Sequence, residues 1–93
     1  MALYTLVMDF DGGTYICQAH SDDRQQAPFE CIKAWDTQGV EHIISRADKA
    51  ELLSQLDEEY FVPVAGLNNV WCGQVTLRGV SATLNLIRTD DAH

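Results

Sequence analysis

The residue types most able to do chemistry in this chain are its cysteines and histidines. Zinc binds both kinds of side chain, and four of them are candidate ligands: Cys17, His20, Cys31 and Cys72. Cys17 and His20 lie three residues apart, so in a regular strand they point to opposite faces of the sheet. We therefore expect no metal and no other cofactor, and we keep a metal- or small-molecule-binding domain only as an alternative function.

Two aspartates in one segment suggest phosphoryl transfer. Asp9 and Asp11, in V-M-D-F-D-G-G-T, resemble the D-x-D-G-T motif of haloacid dehalogenase-like phosphatases, whose first aspartate is the nucleophile. In that family the motif joins a central parallel strand to a helix. Here an extra glycine separates Asp11 from Thr14, an alternating segment follows, and the cations that phosphoryl transfer requires are scarce. We predict a hairpin turn at this position and no catalytic residues in the chain.

Acidic residues outnumber basic ones by fourteen to six, which gives a net charge of −8. Such a charge repels nucleic-acid phosphates and anionic lipid, so we expect neither nucleic acid nor a membrane as a partner. The charge could serve solubility, or it could accelerate association with a basic protein. The predicted partner-binding residues are Asp57, Glu58 and Glu59 first, then Asp22 and Asp23.

The first hairpin is predicted from two alternating segments, 3–10 and 14–20, on either side of Asp11-Gly12-Gly13. Its turn centres either on Asp11-Gly12 or on Gly12-Gly13. Both choices place the even positions of the first strand opposite the odd positions of the second, so the assignment of faces is the same. The face that carries Tyr4, Leu6, Met8 and Phe10 is the expected core face.

The second hairpin joins residues 70–77 and 80–88 through Arg78-Gly79. One of its faces is apolar and the other mostly polar, which is typical of an antiparallel sheet with one face in water. Residues 60–64 are predicted to form a short edge strand, because Pro63 lacks the N–H that a central strand requires. Residues 89–93 are expected to form a loose tail.

Two helices are predicted between the hairpins. Pro28 suits the first position of one, which carries Phe29, Ile32 and Trp35 on its inner side, and Gly39 ends this segment. The second starts at Ser45, and Asp48 three residues later completes the pattern of a capping box. Its expected apolar stripe consists of Ala47, Ala50, Leu52, Leu53 and Leu56.

Two family resemblances follow from these segments. Residues 4–16, Y-T-L-V-M-D-F-D-G-G-T-Y-I, and residues 70–72, V-W-C, resemble a group of small bacterial proteins with the same hairpin, a resemblance that implies no activity. Residues 3–35 are similar in layout to HicB-type antitoxins, in which a hairpin turning at a D-G-G-like step precedes a helix. The P-D-L-P-G-C-type segment of those antitoxins is replaced here by S-D-D-R-Q-Q-A.

The sequence thus predicts a single α+β domain over residues 1–93, with an antiparallel sheet of four to five strands in the order β-β-α-α-(β)-β-β and two helices on one face. We expect a cytoplasmic protein, because the N-terminus has no basic region and three sparse cysteines suit reduced thiols. The expected function is non-enzymatic binding of a basic protein, as by an immunity protein or antitoxin. Self-association, through a sheet edge or the Val70/Ile87 corner, is a further alternative.

Overall fold

The structure is a computed structural model that describes residues 2–35, 44–56 and 61–89. Its elements, in chain order, are β1 (Ala2–Phe10), β2 (Gly13–Ser21), α1 (Ala27–Ala34), α2 (Arg46–Leu56), β3 (Val62–Pro63), β4 (Val70–Leu77) and β5 (Val80–Thr89). The strands form one antiparallel sheet in the spatial order β2-β1-β5-β4-β3. The predicted α+β class and its order of elements are confirmed. No helix in these ranges is both long and apolar enough to cross a membrane.

The first hairpin turns at Asp11-Gly12, the first of the two predicted alternatives. Phe10 pairs with Gly13, and φ is 49° at Asp11 and 81° at Gly12. Positive φ at both central residues defines the type I′ turn, whose twist matches that of the flanking strands. A strand rather than a helix therefore runs through Thr14, as predicted from the alternating segment.

The second hairpin has the same kind of turn, with φ of 50° at Arg78 and 79° at Gly79. The predicted turn at Arg78-Gly79 is confirmed, and with it Trp71 pairs with Leu86 and Val70 with Ile87. Because side chains alternate along a strand, this register fixes which residues of β4 and β5 face the helices.

The core lies between the sheet and the two helices. Every second residue of β1, β4 and β5 faces it, whereas the inward residues of β2 are only half-buried because β2 lies at the edge of the sheet. The buried hydrophobic residues are Tyr4, Leu6, Met8, Phe10, Ala27, Cys31, Ile32, Ile44, Leu52, Leu56, Val75, Leu77, Ala82, Leu84 and Leu86. The predicted core face of the first hairpin is confirmed.

Helix α1 differs from the prediction at both ends. It begins at Ala27, so Pro28 is its second residue. The N–H groups of the first turn have no intrahelical acceptor, so the N–H that proline lacks is not needed there. It ends at Ala34, well before Gly39, because Trp35 adopts an extended conformation with ψ of 121°. Of the residues predicted to face inward, Ile32 is buried, and Phe29 and Trp35 are partly buried and pack against the core. The other buried residues of the helix are Ala27, Pro28 and Cys31.

Helix α2 starts with the predicted capping box. The N–H of Ser45 donates to the Asp48 carboxylate at 2.9 Å, and the N–H of Asp48 donates to the Ser45 hydroxyl at 3.2 Å. Two N–H groups that a helix start leaves without intrahelical acceptors are satisfied in this way.

The apolar stripe predicted for α2 is only partly correct. Leu52 and Leu56 are buried, but Ala47 and Ala50 are exposed, and the third buried residue is Asp48. The capping box holds Asp48 inward, where its carboxylate also lies 3.7 Å from Arg78 Nε. The helix is thus rotated about its axis so that Asp48 faces inward and Ala47 and Ala50 face solvent. Because alanine gains little from burial, this orientation costs little.

The ends of the remaining strands also differ slightly from expectation. Of the predicted edge strand, residue 60 lies outside the described ranges, and residues 61–64 contain the strand Val62–Pro63, which pairs with Cys72 and Trp71 at the margin of the sheet. Strand β5 continues to Thr89, the residue at which the loose tail was expected to begin. Residues 90–93 lie outside the described ranges.

Candidate functional site

The two aspartates of the phosphatase-like segment lie in a hairpin, both of them exposed. The Thr14 hydroxyl donates to Asp9 Oδ1 at 2.9 Å across the strand pair, and Asp11 occupies the turn. Asp9 thus serves as a cross-strand partner, and its strand leads into another strand. This arrangement gives no support to a phosphatase-like nucleophile at Asp9.

The outer edge of β2 offers backbone hydrogen-bonding groups to solvent. In a two-residue hairpin the residues that flank the turn exchange hydrogen bonds, and antiparallel pairs then alternate between bonded and non-bonded. Counting from the Phe10–Gly13 pair, the N–H and C=O groups that point away from β1 belong to Thr14, Ile16, Gln18 and His20. None of these N–H groups has an acceptor within the described ranges.

The sheet face opposite the helices is open and carries a row of side chains across all five strands. The register places Ile16, Val7, Asn85, Cys72 and Val62 side by side in this row. Ile16 is 59% exposed and Val62 is 56% exposed, large values for branched apolar side chains. We call this row, together with the outer edge of β2, the open surface of the sheet.

A second row on the same face contains the corner considered for self-association. Val70 and Ile87 are paired neighbours, and both are half-buried. Thr5 lies beside Ile87, and Gln18 Nε2 donates to the Thr5 hydroxyl at 2.9 Å. In this second row, the apolar pair Val70 and Ile87 is therefore followed by two polar side chains, Thr5 and Gln18, that are hydrogen-bonded to each other.

At the opposite margin of the sheet, side chains and a proline limit further strand pairing. The N–H of Thr76 in β4 donates to Gln55 Oε1 at 2.8 Å, and Gln55 Nε2 donates to the Thr76 carbonyl. Helix α2 therefore satisfies the edge of β4 at this point. Beside it, β3 contributes Pro63, which has no N–H to offer to a further strand.

The predicted acidic partner-binding residues fall in two places. Asp22 and Asp23 are exposed in the turn after β2, and Asp23 Oδ1 accepts a hydrogen bond from the N–H of Gln25 at 2.9 Å. Asp23 therefore also holds the turn that leads into α1. Residues Asp57, Glu58 and Glu59 lie outside the described ranges, and their prediction remains untested.

Basic side chains of the described ranges interact within the fold. Arg24 lies over the Trp71 ring at 5.4 Å and Arg78 over the Phe10 ring at 5.5 Å, both cation–π contacts. Lys49 Nζ donates to the Trp35 carbonyl at 2.7 Å. Exposed carboxylates flank β2, with Asp11 before the strand and Asp22 and Asp23 after it.

Two of the three cysteines lie on the inner side of the sheet, where helix α1 packs against β2. Cys31 of α1 is buried and Cys17 of β2 is half-buried, and each thiol donates to a backbone carbonyl of β1. Interaction with Cys31, together with burial, raises the pKa of Cys17, whereas interaction with Cys17 lowers the pKa of Cys31. His20 lies on the other face of the strand, as predicted, and Cys72 belongs to the open surface.

Metal binding gains no support from these positions. The described ranges contain no group of three or more histidine, cysteine, aspartate or glutamate side chains arranged to hold a metal ion. His42 and His93 lie outside those ranges.

Sequence reasoning missed both the contact between Cys17 and Cys31 and the closure of β4 by Gln55. A signal for the first exists, because Cys17 was assigned to the inner face of its strand and Cys31 has the helical spacing of an inward residue. For the second there is none, since Gln55 looks like any polar residue on the surface of a helix.

Comparison with known proteins gives no relative for this chain. No family model, no curated protein and no solved structure matches it. The two resemblances drawn from the sequence therefore remain predictions.

Proposed function

We propose that this protein is a binding module for a basic protein, and that the partner adds an extended segment to the free edge of β2. The observation that carries the proposal is the nine-residue strand β2 itself, which has β1 on one side only. Outward N–H and C=O groups at alternate residues form hydrogen bonds with an incoming strand, a recurrent way of recognising peptides. The open side chain of Ile16 lies on this same strand.

Charge determines what kind of segment fits. Residues 13–21 contain no lysine, arginine, aspartate or glutamate, whereas Asp11 lies at one end of the strand and Asp22 and Asp23 at the other. A partner segment with a β-branched centre and lysine or arginine near its ends matches this distribution. The net charge of −8 also accelerates encounter with a basic partner.

This combination is that of an immunity protein or an antitoxin. A small acidic module gains affinity from backbone pairing along one strand, and it gains selectivity and association rate from the carboxylates at the ends of that strand.

Two synthetic peptides test the proposal. Both have ten residues with an alternating valine–threonine centre, and one carries lysines at its ends where the other carries glutamates. We expect the lysine peptide to bind, with amide chemical-shift changes concentrated at residues 14–20, and to bind more weakly as salt is raised. The glutamate peptide should bind at least about tenfold more weakly at low salt.

A backbone variant separates strand pairing from side-chain contact. Ile16→Pro removes an outward N–H without removing any hydrogen bond to β1, and edge strands tolerate proline at such positions. We expect this variant to lose the lysine peptide while the matched control Ile16→Thr, which keeps the N–H, retains it. Equal binding of both peptides, or shift changes away from β2, would contradict the proposal. Self-association of the free protein through residues 14–20 would show that a second copy is the occupant instead.

A further inference from the structure

The Cys17 and Cys31 thiols both contact backbone carbonyls of strand β1, on the helix side of the sheet. Cys17 Sγ lies 4.0 Å from the carbonyl oxygen of Leu6, and Cys31 Sγ lies 3.6 Å from that of Tyr4, two residues along the same strand. The two thiols are near enough for each to act on the pKa of the other. One cysteine belongs to the edge strand β2 and the other to helix α1, so the pair lies where these two elements pack together.

We propose that Cys17 and Cys31 are a redox modification site that closes into an intramolecular disulfide between β2 and α1 when the protein meets a hydroperoxide. The site is independent of the partner-binding function proposed above. Cys72, on the other face of the sheet, takes no part in it.

The surroundings of the pair favour this reaction. Interaction with the Cys17 thiol lowers the pKa of Cys31 and so favours its thiolate, although burial acts in the opposite direction. A thiolate, rather than a thiol, is the nucleophile in sulfur oxidation. Cys17 is the less buried of the two, so solvent reaches the pair from its side.

The reaction balances with hydrogen peroxide as the oxidant. One sulfur of the pair attacks a peroxide oxygen, the O–O bond breaks, and a sulfenic acid forms as hydroxide leaves. The second sulfur then attacks the sulfenic sulfur, so the S–S bond forms as the S–O bond breaks and the oxygen leaves as water. In sum, two thiols lose two electrons and two protons, and one hydrogen peroxide becomes two waters.

Closing this bond constrains the connection from β2 to α1. The disulfide closes a loop of about 15 residues, and such a closure stabilises a folded domain chiefly by restricting its unfolded chain. We expect the melting temperature of the oxidised protein to exceed that of the reduced protein by roughly 12–24 °C.

Trypsin makes the test direct, because its cleavage sites place each cysteine on a separate peptide. Cys17 lies in residues 1–24, Cys31 in 25–33 and Cys72 in 50–78. The full chain is treated with hydrogen peroxide, free thiols are alkylated, and the digest is examined by mass spectrometry. We expect a peptide pair 1–24/25–33 that dithiothreitol separates, with Cys72 outside that crosslink.

Two variants complete the experiment. Cys72→Ser should form the same crosslink and show the same rise in melting temperature, whereas Cys17→Ser should show neither. Recovery of Cys17 and Cys31 as separate alkylated or over-oxidised peptides after peroxide treatment of the wild type would overturn the proposal. So would a crosslink that runs through Cys72.

Discussion

Asp48 provides the sharpest test of how α2 is held against the sheet, and we expect Asp48→Ala to lower the free energy of unfolding by about 2 kcal/mol. The carboxylate accepts the Ser45 N–H at 2.9 Å in a site where Asp48 is only 4% exposed. A hydrogen bond to a charged group contributes about 1.5–3 kcal/mol, and a lost N-terminal cap costs about 0.5–2 kcal/mol. The Arg78 contact adds little, because that side chain is half-exposed and 3.7 Å away.

Urea unfolding followed by tryptophan fluorescence measures this change. A loss of about 2 kcal/mol lowers the melting temperature of a domain of this size by roughly 8–16 °C. Asp48→Asn should lose less, about 1 kcal/mol, since its amide oxygen can still accept from Ser45. The matched control is Glu51→Ala, which removes a carboxylate from the same helix and should change stability by less than about 0.5 kcal/mol.

The reasoning would be refuted if Asp48→Ala were no more destabilising than Glu51→Ala. A second check uses Ser45→Ala, which removes the other half of the capping box. Because the two side chains form one unit, the double variant should be less destabilised than the sum of the single variants. Strict additivity would show that the two hydrogen bonds act separately.

Three further outcomes are expected. Gly12→Ala should cost about 1 kcal/mol in urea unfolding, because φ is 81° there, and an unchanged midpoint would count against the type I′ turn. Leu84→Ala should cost about 3 kcal/mol, whereas Val7→Ala, on the open surface, should cost well under half as much; equal losses would mean the two faces are misassigned. Asp22→Lys should slow association with the lysine-flanked peptide in stopped-flow at low salt without altering stability, and an unchanged rate would remove Asp22 from the interface.

Strand positions were predictable because side chains of a strand alternate and each turn is specified locally. Gly12 and Gly79 follow the residue that opens each two-residue turn, and these turns fix the register of all residues in both hairpins. Helix rotation was harder to predict. Asp48 lies inward because Ser45 and Arg78 are there to meet it, and contact with Arg78 depends on the tertiary fold.

The candidate site was predictable only in part. Alternation correctly placed Cys17 and His20 on opposite faces, but the neighbour of Cys17 is Cys31 of α1, which no periodic pattern of one segment reveals. Likewise, the sequence identifies Asp22 and Asp23 as exposed acids. That they lie at one end of an edge strand follows only from the order of strands in the sheet.

The two margins of this sheet differ, and the difference supports the strand addition that we propose for the edge of β2. Gln55 and Pro63 close the β4 side by a side-chain amide and by a missing donor. Free edges invite pairing with other chains, and proteins usually protect them with charged residues or proline along the strand. Strand β2 has neither along its length, only carboxylates beyond its ends. In the proposed function, such carboxylates would repel a second acidic copy and attract a basic segment, so one arrangement would both limit aggregation and select the partner.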